Sequence, residues 1–438
     1  MTAVRLLLVI VPTAAFAVGL LAAPVPKDFD PPPTAAQVRA AEEAFGEFGG
    51  QYHADTDTAG RTRHRFWVGQ TIGDGDVAGL PAVPFRHHLD LSHSQLSDDG
   101  LMRLTPTRRI EKLDLCHMKG FTGGGLEHLA KLDGLTELNL GGTRVADAML
   151  KHLRKCQHLT SVGLYATGVT DAGVTELVGL TGLVHLDLSY TNVTAAGLTR
   201  LKAFPKLRRL SVHGSGEPDR GLTDAGVEAL LALPELESLD ARGSRLTAAG
   251  LKKLSGLKKL TALRLYGPGV TDAGVADLIA GMPHLTVLDL GRSKLTDAAT
   301  KGLDTLKHLT ALNLEHTGVT DATLARLDKS DKLTHLELRC TKTTDAGVKS
   351  LRGLARLEHL DIGDTKVSDT GVADLVGLKR LTWLNLMNTD VTDAGLADVA
   401  KLTRLKRLHL SFDGPRGLTK AGVEQLQREL PDCVISAQ

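Results

Sequence analysis

The sequence predicts an α/β solenoid in which about fourteen strand–turn–helix copies stack side by side. Three observations predict it. First, the segment L-x-x-L-x-L-x-x-T-x-V-T-D-A-G-L-x-x-L-x-x-L occurs almost unchanged at Leu183–Leu201 and Leu357–Leu378. Its second leucine recurs at Leu89, Leu113, Leu138, Val162, Leu186, Leu210, Leu239, Leu263, Leu288, Leu312, Leu336, Leu360, Leu384 and Leu408, in steps of 24 or 25 residues with one step of 29. Second, the hydrophobic period changes inside each copy. The L-x-L stretch alternates as a strand does, and the following V-x-x-x-G-L-x-x-L run has helical spacing facing the same interior. Third, 438 residues exceed the roughly 250–300 that a single compact core supports. Hydrophobic residues make up 42% of them but aromatic ones only 3%, so the core is aliphatic and grows along a stack.

The elements follow in chain order. Arg5, the apolar run Leu6–Ala17 and the small-residue pattern Ala15-Phe16-Ala17 read as a secretory signal within residues 1–23. The alternative is an uncleaved membrane anchor through residues 6–23, although Pro12 and Thr13 interrupt it. Residues 24–33 hold five prolines in ten positions and form a stiff linker. Residues 34–84 are expected to be an N-terminal cap. Thr34–Phe48 has helical composition with a stripe of Val38, Ala41, Phe45 and Phe48, Gly49-Gly50 ends it, and Gln51–Val68 alternates as a hairpin around the polar turn Asp55–Gly60. The repeats fill residues 85–429, and 430–438 end the chain as a truncated last strand and C-terminal cap.

Within a copy, the Thr-Asp step (Thr170-Asp171, Thr271-Asp272, Thr320-Asp321, Thr392-Asp393) starts the helix, the side-chain oxygen accepting orphan N–H groups and the carboxylate suiting the dipole. Ala-Gly follows in most copies, small enough for the first helical turn to lie close to the neighbouring copy. The Thr or Ser after each strand (Thr143, Thr167, Thr191, Ser244, Ser293, Thr317, Thr341, Thr365, Thr389) is expected to form a hydroxyl ladder to backbone groups of adjacent turns.

On these residues the chain resembles leucine-rich-repeat proteins of the ribonuclease-inhibitor-like sort, similar to the T-D-A-G repeats of exported bacterial proteins and to the repeats of F-box proteins. The resemblance covers Phe85–Ser436. It implies a horseshoe with parallel strands on the concave face, helices on the convex face and partner binding on the concave side. The ubiquitin-ligase role of F-box relatives is not implied, because nothing between Thr34 and Pro84 looks like an F-box.

With 52 basic and 51 acidic residues the net charge is +1, which disfavours nucleic acid and anionic lipid as partners. The residues flanking the strand leucines project onto the concave side. At the central position ten of fourteen are acidic or amide-bearing, among them Asp90, Asp114, Asp187, Asp289 and Asn313, which reads either as a solvated consensus or as a groove for a cationic or hydroxyl-rich ligand. His185, Asp187 and Ser189 have the residue types of a hydrolase triad, but alternate strand residues stand nearly 7 Å apart, at about 3.3 Å per residue, and a relay needs hydrogen-bond contact. Ser189 has a closer approach to His213 on the next strand, with no acid to orient that ring. No catalytic or cofactor residues are assigned, and the expectation is a non-enzyme without cofactors. His335 and His359 on adjacent strands, with Glu337 and Asp361, have the types of a zinc site, but no local H-x-x-x-H or C-x-x-C spacing supports them, so no metal ligand is assigned.

The same region reads better as a partner-binding patch of His335, Glu337, Arg339, His359, Asp361, Trp383, Asn385, Met387, Arg407, His409 and Phe412 in the last four copies. Trp and Arg dominate interface energies, which singles out Trp383. Tyr165, Tyr190 and Tyr266 form a sparser second group. Two insertions, His213–Gly221 and Ser411–Gly417, should project from one rim. Cys156 takes a helical leucine position and reads as core, while Cys116, Cys340 and Cys433 lie too many coils apart to pair, so four free thiols are expected. The functional expectation is an exported, non-enzymatic scaffold binding a protein or peptide on its concave face. The alternatives are a glycan or cell-wall binding module and a passive structural surface protein. No oligomeric state follows from the sequence.

Overall fold

The computed structural model describes residues 32–56, 60–104, 109–214, 221–412 and 417–437. The expected export segment 1–23 and nearly all of the expected linker 24–33 lie outside the described residues, as do 57–59 of the hairpin turn and the middles of both insertions, 215–220 and 413–416. No helix among the described residues is long and apolar enough to cross a membrane.

Each L-x-L stretch forms a strand of three to five residues, and we number the coils one to fourteen from Leu89 to Leu408. The strands run parallel with their core leucines in register, Leu89 beside Leu113, Leu288 beside Leu312 and Leu384 beside Leu408, within a 17-stranded sheet. The register follows from the pattern: a slip of one residue would turn every leucine out of the core. One hydrophobic cluster runs from Ala41 to Cys433, with most of its leucines no more than 2% exposed, and Cys156 belongs to it.

The stack is continued at both ends. Thr34 caps helix α1 (Ala35–Gly46) by accepting the Gln37 N–H at 3.2 Å, and Gln37 Oε1 accepts the Thr34 N–H at 2.9 Å. Strands β1 (Gln51–Thr56) and β2 (Thr62–Trp67) pair antiparallel, and β2 then lies parallel to coil one with Phe66 beside Leu89. Phe45 of α1 stacks on Phe66 at 4.4 Å, covering the first leucine layer. At the other end Val434–Ala437 pairs parallel with coil fourteen, Ile435 beside Leu408.

Two expectations about the coil are corrected. The convex segments are not all α-helices: Gly124–Lys131 in coil two, Asp147–Lys155 in coil three and Leu303–Thr305 in coil nine are 3₁₀ turns. In coil three Ala146 stands where other coils place a capping hydroxyl, in coil two Gly123 at φ 102° follows Thr122 and no side chain caps the turn, and in coil nine Gly302 at φ 81° breaks the run. Of the hydroxyls after the strands, Ser244 reaches the next coil, donating to the Tyr266 carbonyl at 3.5 Å, but the threonines do not bridge coils. Thr143, Thr167, Thr191, Thr317, Thr341, Thr365 and Thr389 each donate to the carbonyl three residues earlier in the same coil, at 2.6–2.7 Å. That bond closes a tight turn whose preceding residue often sits in the left-handed region, as Ala166, Tyr190, His316, Cys340, Asp364 and Asn388 do.

The inter-coil ladder is built instead by the aspartate of T-D-A-G. Asp171 accepts both the N–H of Thr194 at 2.8 Å and its hydroxyl at 2.7 Å, one coil further on. Asp321 to Thr344, Asp345 to Ser368 and Asp369 to Thr392 repeat this pair of bonds. The glycine of the motif is explained by the same carboxylate: a Cβ at Gly347, Gly371 or Gly395 would run into Asp321, Asp345 or Asp369 of the preceding coil.

Candidate binding surfaces

On the concave side of coils eleven to fourteen two rows of side chains stand in register, His335–His359–Trp383–Arg407 and Glu337–Asp361–Asn385–His409. Adjacent strands lie about 4.8 Å apart, close to ring-stacking distance, so rings at one register position stack. His335 and His359 stack at 5.5 Å, His359 and Trp383 at 3.8 Å with planes 10° apart, and Trp383 leans on His409 at 5.2 Å. The Nε2 of His359 lies 2.9 Å from a Glu337 oxygen, and the Thr334 hydroxyl lies 2.9 Å from His335 Nδ1.

This packing corrects the expectation of a solvated stripe. Asp90, Asp289, Asn313, Glu337, Asp361 and Asn385 are all buried, and so is His359. The cause is local. Asp114, Asp187, Asp289, Asp361 and Asn385 each turn an oxygen back to accept the N–H two residues on, at 2.9–3.1 Å. Asn385 also donates to Asp361 at 3.0 Å. Burial, with the charge of Glu337 adding to it, pushes the Asp361 carboxyl up to about 6. Burial also lowers His335, with His359 contributing, and lowers His409, with Arg407 contributing.

The predicted patch therefore divides into a support and a surface. Glu337, His359, Asp361 and Asn385 are the support. Trp383, Met387 and His409 are half-buried, Arg407 is exposed, and Phe412 is 38% exposed. Arg339 is half-buried and paired with Asp364 at 2.7 Å.

A second surface follows the loop edge after the strands. His93 and His117 stack at 4.7 Å; His117 meets Tyr165 edge-on at 6.4 Å, Tyr165 meets Tyr190 at 5.5 Å, Tyr190 meets His213 at 4.5 Å and His213 meets Tyr266 at 5.7 Å. The Tyr190 and Tyr266 hydroxyls lie 3.1 and 3.0 Å from His213 Nε2. Tyr165 and Tyr190 are 39% and 40% exposed. Sequence reading grouped the three tyrosines but did not join His93, His117 and His213 to them, because these rings form a row only after the coils are superposed. His213 does not form a relay with Ser189: the Ser189 hydroxyl accepts its backbone N–H at 3.3 Å, and the ring turns to the tyrosines.

All four cysteines are free, Cys156 and Cys433 buried and Cys116 and Cys340 half-buried. Burial and the neighbouring Asp114 push the Cys116 thiol up to about 12. Among the described residues, two groups bring possible metal donors together, His93 with Cys116 and His117, and His88 with Asp90 and Asp114.

Residues 331–391 match a leucine rich repeat family model, and residues 87–104 match a second leucine rich repeat model. Among solved structures, an internalin from Listeria monocytogenes is similar at 22% identity over 78% of this chain and 88% of that one, with a TM-score of 0.52. A leucine-rich-repeat protein of Leptospira interrogans is similar at 20% identity over 80% of this chain and 84% of that one, with a TM-score of 0.50. No curated protein matches the chain. The matched segments are leucine-rich repeats, and the chain has the α/β solenoid fold of leucine-rich-repeat structures.

Proposed function

We propose that the protein is an exported leucine-rich-repeat scaffold that binds a protein or peptide partner on the concave face of coils eleven to fourteen. The observation that carries this reading is Trp383, stacked at 3.8 Å on buried His359, with exposed Arg407 beside it in the strand register. A tryptophan whose orientation is already fixed loses little freedom on binding, and Trp and Arg are the residue types that concentrate interface energy. Export rests on the apolar segment Leu6–Ala17 after Arg5.

The test is a pull-down from the producing cell's envelope and medium with the full chain and with the Trp383→Ala, Arg407→Ala double variant at unchanged melting temperature. Recovery of a partner by the wild type and its loss in the variant is the expected result. Equal recovery by both proteins would move the interface away from this patch.

A second reading is favoured by the loop-edge row, since exposed rings in series suit the faces of a glycan chain. Retention of the wild type on cell-wall glycan, lost on Tyr165→Ala with Tyr190→Ala and kept by the Trp383 variant, would support it over the first.

A further inference from the structure

The start of the loop-edge row, in the first two coils, carries an arrangement beyond ring stacking. His93 and His117 occupy the same turn position of consecutive coils, both in the left-handed region at φ 60° and 57°. The parallel ladder continues through these turns, His93 N–H donating to the Cys116 carbonyl at 2.9 Å and His117 N–H to the Gly141 carbonyl at 2.8 Å, so the backbone holds the two histidines and the cysteine at fixed spacing. Coil three has Gly142 where a third ring would stand, and the Nδ1 edge of His117 fills the space its side chain would take. The donor atoms of His93, Cys116 and His117 lie within 4.8 Å of one another, with both imidazoles exposed and the sulfur half-buried.

We infer that His93, Cys116 and His117 form a binding site for a borderline-soft transition-metal ion, Zn²⁺ by preference, with a fourth position open to water or an incoming ligand. Two imidazoles and one thiolate are a donor set zinc takes, at about 2.0–2.1 Å for nitrogen and 2.3 Å for sulfur. Those bond lengths require the three donors to draw together by about an ångström, a movement that exposed imidazoles make by side-chain rotation alone. The carboxylate of Asp114 holds the backbone of Cys116, its Oδ1 accepting that residue's N–H at 3.0 Å, and places negative charge beside the ion. As the sulfur–metal bond forms, the thiol proton passes to solvent. The neighbouring group of His88, Asp90 and Asp114 is the weaker choice because its oxygens are engaged: Asp90 pairs with Arg65 and accepts from Ser92, and Asp114 accepts from Cys116 and Asn139.

The test is a titration of the full chain, reduced and stripped with chelator, with Co²⁺ as a spectroscopic probe and Zn²⁺ as competitor. The expected result is a sulfur-to-cobalt charge-transfer band saturating at about one equivalent and bleached by Zn²⁺. Cys116→Ser should abolish the band, and His93→Ala or His117→Ala should each weaken Zn²⁺ binding by at least about ten-fold. His316→Ala, which removes the same turn histidine from coil ten, should leave binding unchanged. A band that survives in Cys116→Ser, or equal weakening by His316→Ala, would overturn the assignment, as would the absence of any band in a wild-type chain with native circular dichroism.

Discussion

Asp289, on the concave side of coil nine, is 7% exposed, and its Oδ1 accepts the Gly291 N–H at 3.1 Å. Burial, opposed by that bond and by Arg242 and Arg264, pushes its carboxyl from 3.8 up to about 6. A carboxyl raised on folding favours the protonated form, so the stability it contributes is full below the unfolded value of 3.8 and lost as pH rises through about 6. An amide serves the same turn without the charge: Asn139, Asn313 and Asn385 accept the equivalent N–H at 2.8–3.0 Å in coils three, ten and thirteen. Asp289→Asn is therefore expected to be more stable than wild type at pH 8 by about 1–3 kcal/mol, with the gain fading towards pH 4. Thermal melts at the two pH values check this. A difference that does not change with pH would mean that the charge is not what is being relieved.

The recurring unit at the scale of the element is the helix start together with the carboxylate reaching into it from the previous coil. In coil seven Thr247 gives its N–H and hydroxyl to Asp224, and the Asp224 carboxylate fills the space where Gly250 would carry a Cβ. Gly250→Ala should cost about 1–3 kcal/mol through overpacking. The Asp224→Ala, Gly250→Ala pair should cost less than the sum of the two single changes, because removing the carboxylate frees the space. Urea unfolding of the four proteins measures the coupling, and strict additivity would remove this explanation of the glycine. The fold was legible because leucine spacing is local, and so was the need for a small residue next to a neighbouring coil. What filled that space was not legible, since Asp224 and Gly250 come together only when coils stack 26 residues apart in sequence. The surroundings of the candidate patch were legible in part. Position in the strand placed Trp383 and Arg407 correctly on the concave side, but the same rule treated Asp361 and Asn385 as solvated, and it takes the turn-closing bonds to bury them. His93, Cys116 and His117 escaped a search for local metal spacings for the same reason: their proximity is a property of the stack.

The aspartate links divide the molecule into blocks, and this gives the solenoid as a whole a predictable order of opening. Links run from Asp74 to Ser97 and from Asp98 to Thr122, from Asp147 to Thr170 and Asp171 to Thr194, from Asp224 to Thr247, and then without interruption from Asp272 to Thr296 through Asp393 to Thr419. They fail where coils two, five and seven place Gly123, Ala195 and Ala248 at the aspartate position. In a repeat array each interface adds to stability nearly independently, so coils eight to fourteen form the most strongly coupled block and the Ala248 seam marks its edge. That block carries Trp383 and its stack, so the proposed partner surface lies on the stiffest part of the molecule. Native-state hydrogen exchange is expected to show coils eight to fourteen opening together at a higher free energy than coils one to seven. Ala248→Asp should add the missing bonds to Thr271, which now caps only its own helix through Gly274 at 3.4 Å, and raise the protection of coils six and seven by about 1 kcal/mol. Protection that crosses the Ala248 seam without a step in the wild type, or that Ala248→Asp leaves unchanged, would show that the leucine core alone sets the coupling and that the carboxylate links add nothing to it.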